Sequence, residues 1–239
     1  MFRETKTRSI FKTISWRFLA TLTTVTLVLI FVGKPGVALT VGGLEVIIKM
    51  LIYFVHERAW DNIKFGRKEI IPRVIWLTGL ARSGKSEIAS KLTQRFIEKG
   101  FKAEHLDGHT IRNLFPETGF TREEVNEHIK RVGYLASTLE KQGIFVVASF
   151  LSPYIESREF VKSLCKNYCE VHVSTPIEIC ENRDKTGIYK RARNGEIKNF
   201  PGINAPYENP MNGALVVDTS KETIEEATNK IFNSIKSYI

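Results

Sequence analysis

The 239-residue chain carries 35 Lys and Arg against 26 Asp and Glu, a formal charge of +9, and the first 69 residues hold 11 basic against 5 acidic residues, so +6 of the excess lies there. These basic residues flank apolar runs and are not interleaved with aromatics on a polar face, which argues against a nucleic-acid partner. Three cysteines, Cys165, Cys169 and Cys180, are odd in number and outside any metal-ligand spacing, which argues against a disulfide framework, favours a reducing compartment and reads them as small buried hydrophobes.

From Phe18 to Gly33 runs FLATLTTVTLVLIFVG, 16 residues without a charge. As a helix it spans roughly 24 Å, short of a ~30 Å hydrocarbon core, a gap that Trp16 and snorkelling Arg17 and Lys34 can cover. After the turn signal Lys34-Pro35-Gly36 comes VALTVGGLEVIIKMLIYFV, long enough to span but holding Glu45 and Lys49. These two lie one turn apart on one helical face, where they can neutralise each other inside a hairpin or an oligomer. Arg3, Lys6, Arg8, Lys12 and Arg17 precede the apolar pair and Arg58, Lys64, Arg67 and Lys68 follow it, with only Lys34 between. The positive-inside rule then places both termini in the cytoplasm. The expectation is a two-helix transmembrane hairpin over residues 1–60 in the inner (cytoplasmic) membrane. A polar linker, DNIKFGRKEIIP, follows over 61–72. A cleaved signal peptide and a soluble buried hairpin are the competing readings; the second apolar segment counts against the first.

Residues 73–239 read as a separate soluble domain. A short apolar strand, Val74 to Thr78, runs into Gly79-Leu80-Ala81-Arg82-Ser83-Gly84-Lys85-Ser86, and helical spacing follows through Ile88, Leu92 and Phe96. This is G-x-x-x-x-G-K-[ST] in its strand-loop-helix context. Gly79 and Gly84 permit the tight backbone, and the amides of Ala81, Arg82, Ser83 and Gly84 are placed to face phosphate. Lys85 reaches the β and γ phosphates of ATP, and Ser86 is placed for Mg²⁺. Further on, strand candidates at Ala103–Leu106, Ile144–Ser149, Glu170–Val173 and Leu215–Val217 alternate with helices at Glu123–Gln142, near Ser157–Cys165, from Pro176 and from Lys221. Such alternation predicts an α/β fold with a parallel sheet flanked by helices. Ligands then sit at the carboxyl ends of the strands, just where Asp107 and Ser152 fall.

GLARSGKSEIA, LDGHTIR, Gly119-Phe120, IKRVGYLA, SFLSPY and above all IYKRARNGEIKNFPGINAPYENP follow, in order and spacing, the motifs of adenylylsulfate kinases over about residues 72 to 238. The resemblance implies a P-loop kinase that moves the γ-phosphate of ATP to the 3′-hydroxyl of adenylylsulfate. Position by position, it implies that Phe120 and Phe200 sandwich the acceptor's adenine and that Arg112 binds the acceptor. It places Ser152 near the transferred phosphate and Ile155 at an acceptor-contact position. Lys190 and Arg193, with Glu196 to Ile203, match a lid that closes on both substrates. Asp107 is the expected organiser of Mg²⁺ or recipient of the acceptor's proton, and Lys85, Asp107 and Ser152 form the expected catalytic set. Family kinases are often dimers, so a homodimer is implied as well. KTISWRFLATL and GLEVIIKMLIYFVHERAW resemble a small bacterial membrane domain of unknown function (DUF2061), over about residues 5 to 65.

The chain departs from the family where the acceptor's polar end is expected. D-G-D-N becomes Asp107-Gly108-His109-Thr110, Val125 and His128 replace Arg and Asn, Ile155 replaces Arg, and Arg82 replaces a small residue. An imidazole is no hard oxygen ligand for Mg²⁺. His109 is open to three readings: a tolerated polar residue, a neutral base, or a mark of changed substrate or lost activity. Arg122, one turn before Val125, is a candidate source of the missing charge. Two other functions stay open: a kinase of the same fold acting on another nucleotide-linked acceptor, such as cytidine diphosphoramidate, and a non-catalytic nucleotide-binding sensor.

Overall fold

The structure is a computed structural model that describes residues 2–4, 6–31, 38–116, 118–210 and 213–236. The chain forms two compact units, Met1–Ile70 and Ile71–Ile239.

In the first unit, strand β1 (Phe2–Glu4) pairs antiparallel with β2 (Arg67–Glu69), and two long helices, α1 (Lys6–Phe31) and α2 (Ala38–Asn62), run between them. Residues 61–72, expected as a polar linker, include the last residues of α2 and strand β2. Cross-helix pairs Lys12–Glu57, Ser15–His56 and Thr24–Glu45 keep an almost constant sum of residue numbers, which fixes α1 and α2 as antiparallel. Glu45 also takes a hydrogen bond from Lys49, the neutralisation anticipated from their spacing. The fully buried Arg8 donates to the carbonyls of Trp60, Ile63 and Phe65 at 2.5, 2.6 and 2.9 Å. A cation thus meets the carbonyl-rich C-terminus of α2, where helix carbonyls lack intrahelical partners. The turn signal Lys34-Pro35-Gly36 lies outside the described residues. Among the described residues no helix is long and apolar enough to cross a membrane.

The second unit is built on five parallel strands in the order β4-β5-β3-β6-β7: β3 (Val74–Gly79), β4 (Ala103–Asp107), β5 (Phe145–Ser149), β6 (Tyr168–Val173) and β7 (Leu215–Val217). Alternate residues of β3 feed two cores. Val74 and Trp76 join Val146, Ala148 and Phe150 under helices α5 (Arg122–Lys141) and α6 (Ile155–Leu164). On the other face helices α3 (Lys85–Glu98) and α9 (Ile224–Ile235) bring Phe96 against Phe145, ring centroids 4.6 Å apart, and against Phe232 at 5.5 Å. Helices α4 (Gly108–Leu114), α7 (Ile177–Asn182) and α8 (Ile188–Arg193) are short and lie in the connections.

Helix starts follow local chemistry. Thr121 and Glu124, and again Thr223 and Glu226, form reciprocal capping boxes that satisfy the orphan amides of α5 and α9. The second box moves the start of α9 three residues beyond the expected Lys221.

Helices α5 and α6 approach closely at Gly133, where a Cβ would stand 2.5 Å from Cγ2 of the fully buried Val161. Helix propensity favours Ala over Gly by about 1 kcal/mol, but overpacking a closed core costs roughly 1–3 kcal/mol. Gly133→Ala is therefore expected to lower the melting temperature of the full chain; an unchanged or higher value would show that this contact yields freely.

Candidate active site

The site lies at the carboxyl ends of β3, β4 and β5. Gly79 ends β3 with φ 154°, and a Cβ there would stand 2.5 Å from the Val173 carbonyl oxygen on the neighbouring strand, so no side chain fits. Gly84 enters α3 at φ 96°, a left-handed conformation that suits glycine. Between them the loop is held from behind. The Ser83 carbonyl accepts hydrogen bonds from Thr175 Oγ1 at 3.2 Å and Thr219 Oγ1 at 2.9 Å, and Arg183 braces Thr219 through its hydroxyl and carbonyl at 2.6 and 2.8 Å. No local pattern marks these three supports, which stand just past the ends of β6, β7 and α7.

Lys85 is 8% exposed and donates to the Leu80 carbonyl at 2.6 Å and to Ser83 Oγ at 3.2 Å. Burial pulls its ammonium down to about 8, against the upward pull of Cys180, Glu87 and Asp107. A cation so poorly solvated gains more than a surface lysine does when polyanionic phosphates arrive.

Asp107 organises the opposite wall. Its Oδ1 accepts the amides of His109 and Thr110 at 3.0 and 3.1 Å, capping α4, while its Oδ2 accepts Ser86 Oγ at 2.9 Å and Ser149 Oγ at 3.2 Å. Partial burial pushes this carboxyl up, but the hydrogen bonds from Thr110 and Ser86, the nearby His105 and the His109 amide outweigh it and leave the group below its usual value. Behind it His105 Nε2 meets Ser149 Oγ at 2.9 Å. The imidazole of His109 is exposed and makes none of the bonds around Asp107; only its amide takes part.

Other expected residues fall into distinct environments. Arg112 donates to the carbonyls of Thr118 and Gly119 at 3.0 and 3.3 Å and lies over the Phe120 ring at 4.5 Å, and Phe120 itself is 58% exposed. Phe200 is buried and packs edge-on against Tyr189, ring centroids 5.1 Å apart. Lys190 is exposed on α8. The backbone amide of Ile155 donates to Glu208 Oε2 at 2.7 Å.

Ser152 is 1% exposed, with φ 36°, and its hydroxyl is engaged by Trp76 Nε1 at 3.1 Å and Thr78 Oγ1 at 3.0 Å. The hydroxyl is thus held between two side chains of β3.

Arg122 does not supply a free charge. Its guanidinium lies 4.3 Å over the Tyr154 ring and pairs with Glu208 at 2.8 Å. Val125 packs against the α5–α6 core. His128 is 2% exposed between Phe115 and Phe150, neither ring nitrogen has a protein partner, and burial, with Arg112 and Arg131 close by, lowers it to about 4, so it is neutral at physiological pH.

Among the described residues no three His, Cys, Asp or Glu side chains converge as a self-sufficient metal cage. Ser86 Oγ and Asp107 Oδ2, hard oxygens 2.9 Å apart beside a phosphate cradle, do fit Mg²⁺, which takes one or two protein oxygens and completes its shell with water and phosphate.

Residues 71–218 match the family described as Adenylylsulphate kinase, and residues 10–61 match one described as Predicted membrane protein (DUF2061). An adenylyl-sulfate kinase of Microcystis aeruginosa is 44% identical over 162 residues, 67% of this chain and 90% of the relative. One from Shewanella pealeana is 46% identical over 170 residues, 70% of this chain and 83% of the relative. Among solved structures, the Mycobacterium tuberculosis APS kinase in complex with AMPPNP and APS superposes with a TM-score of 0.67 at 32% identity, covering 70% of this chain and 99% of that one. By the match of residues 71–218 and by these relatives, the chain belongs to the adenylylsulphate kinase family and is an adenylylsulfate kinase-like phosphotransferase with an alcohol group as acceptor.

Proposed function

We propose that the chain phosphorylates the 3′-hydroxyl of adenylylsulfate with ATP, giving 3′-phosphoadenylylsulfate for sulfate assimilation or sulfation, and that it works tethered to the inner membrane. The observation that carries the kinase reading is the Ser86–Asp107 pair beside the buried Lys85. The loop amides cradle the donor's β and γ phosphates, Lys85 turns from the Leu80 carbonyl toward them, and Ser86 with Asp107 would hold Mg²⁺. When bound, Mg²⁺ neutralises charge on the phosphates. Phosphoryl transfer asks little of a base before the attacking oxygen bonds to phosphorus. A carboxylate held below its usual value is a weak base but a dependable anion, so Asp107 serves mainly to fix the cation and to orient the acceptor hydroxyl, whose proton leaves late, to solvent or to the transferred phosphate.

On the acceptor side, Phe120 and Phe200 supply apolar rings for a base and Arg112 a cation, with Lys190 brought in by the lid segment. Lid closure would have to bring the rings to opposite faces of one base. Ser152 and Ile155 act as supports, through the Thr78 hydroxyl and the Glu208 carboxylate. His128, neutral and unpartnered, favours a second reading in which the polar end of the acceptor differs from adenylylsulfate.

Membrane association is supported by the match of residues 10–61 to the membrane-protein family and by large apolar side chains left exposed on both long helices. Ile10, Ile14, Phe18 and Leu22 on α1, and Ile47, Met50, Phe54 and Val55 on α2, are each more than half exposed. Basic flanks would keep both termini and the kinase unit cytoplasmic. Alkaline carbonate washing of bacterial membranes is expected to leave the full chain in the pellet; release into the supernatant contradicts the tether.

Transfer of labelled phosphate from Mg·ATP to adenylylsulfate and to a panel of nucleotide analogues tests the reaction. The full chain in mild detergent is expected to label adenylylsulfate, and Asp107→Asn to lose roughly 10²- to 10³-fold in kcat while retaining ATP binding without Mg²⁺. Labelling of another nucleotide alone would move the acceptor, and ATP binding with no transfer to any of them would overturn the kinase reading.

Lys85 gives a pH test. Its folded value of about 8 lies below the ordinary lysine value, so it loses its proton as pH rises through 8, and bound phosphates favour the protonated form. ATP affinity is therefore expected to fall above pH 8, by up to about tenfold per unit. A flat profile to pH 9.5 would contradict the assignment.

A further inference from the structure

Arg82 stands in the phosphate-binding loop with φ 61°, a left-handed conformation that a branched or long side chain adopts only when its surroundings hold it there. Its side chain does not lie along the phosphate cradle. Nη2 donates to Thr186 Oγ1 at 3.0 Å, and Nε lies 3.6 Å from Asp184 Oδ1. Asp184, whose side chain is 2% exposed, also accepts from the Thr186 amide and hydroxyl at 3.0 and 2.6 Å and from the Tyr189 amide at 3.0 Å, and so fixes the turn that begins α8. Tyr189 returns to the loop, its hydroxyl donating to the Ala81 carbonyl at 2.8 Å, and its ring packs against Phe200. Two consecutive loop residues are thereby joined to the segment that carries Phe200, one through a side chain and one through a carbonyl.

We propose that Arg82 is a positioning residue that couples the phosphate-binding loop to the lid segment, so that the placement of the donor's phosphates and the placement of Phe200 over the acceptor depend on each other. The strained backbone at Arg82 is the local cost of putting a guanidinium within reach of Asp184 and Thr186; glycine would adopt the same φ without strain and without the link. This inference rests on the kinase reading for its consequence in turnover, but the link itself can be read without any acceptor.

The test uses the full chain in mild detergent with Arg82→Gly and Arg82→Lys. Arg82→Gly removes strain and link together, so its melting temperature is expected to equal or exceed that of the unaltered protein. Tryptic cleavage after Lys190, Arg191 and Arg193, mapped by mass, is expected to become roughly fivefold faster or more, and protection of those sites by ATP to weaken. With adenylylsulfate as acceptor, saturating ATP should lower the acceptor's KM less than it does in the unaltered protein. Arg82→Lys, which keeps a cation able to reach Asp184, should fall between the two. Unchanged lid cleavage in Arg82→Gly, or protection of those sites by ATP as strong as in the unaltered protein, would overturn the coupling. If the unaltered protein transfers no phosphate, the kinase reading fails by itself and the cleavage rates still decide whether Arg82 holds the lid.

Discussion

The carboxylate of Asp107 is the junction on which the site depends. One oxygen caps α4, the other receives hydroxyl hydrogen bonds from the phosphate-loop helix and from the end of β5, so a single side chain sets the separation of three elements. Charge-assisted hydrogen bonds of this kind are roughly twice as strong as neutral ones and keep the group ionised at neutral pH. An anion so fixed, facing a poorly solvated lysine across a glycine-framed loop, is preorganised for a polyphosphate and its cation before either arrives.

The rest of the second unit serves that junction. Residues alternating along β3 fill both cores, and the all-parallel sheet places every loop that matters at one edge. The loop's stiffness comes from Thr175, Thr219 and Arg183 behind it, and a second chain of contacts runs through Thr78, Ser152, Arg158 and Glu208. Arg158 illustrates the economy of that chain: buried, it donates to the Ser152 and Glu208 carbonyls at 2.7 Å each and pairs with Glu170 at 2.7 Å. One cation thus ties the backbone at Glu208 to the turn after β5 and to β6.

Much of this was legible in the sequence because its signals are local. The phosphate-loop pattern fixed Gly79 through Ser86, alternation of apolar runs located the five strands within one or two residues, and Asp107 stood out at a strand end. What escaped was set by distant partners. Arg158 and Arg183 look like ordinary charges on amphipathic helices, and nothing near Ser152 tells that Trp76 and Thr78 take up its hydroxyl. Arg122 differs from its expected role for the same reason, since Glu208, 86 residues away, claims its charge. In the first unit the apolar runs correctly marked two long helices, whereas the pairing of Arg67–Glu69 with Phe2–Glu4 joins residues too far apart in sequence for any local pattern to show.

The central claim is that one carboxylate, Asp107, suffices where the D-G-D-N pattern that the chain resembles holds two, with His109 contributing only its amide. Steady-state transfer to adenylylsulfate by His109→Asp compared with the unaltered full chain tests it most directly. The account predicts kcat/KM values within about threefold of each other, since the added acid enters an exposed position outside the network around Asp107. A gain of about a hundredfold or more on restoring the second carboxylate would contradict it, and would mean that the chain lacks a group its chemistry requires.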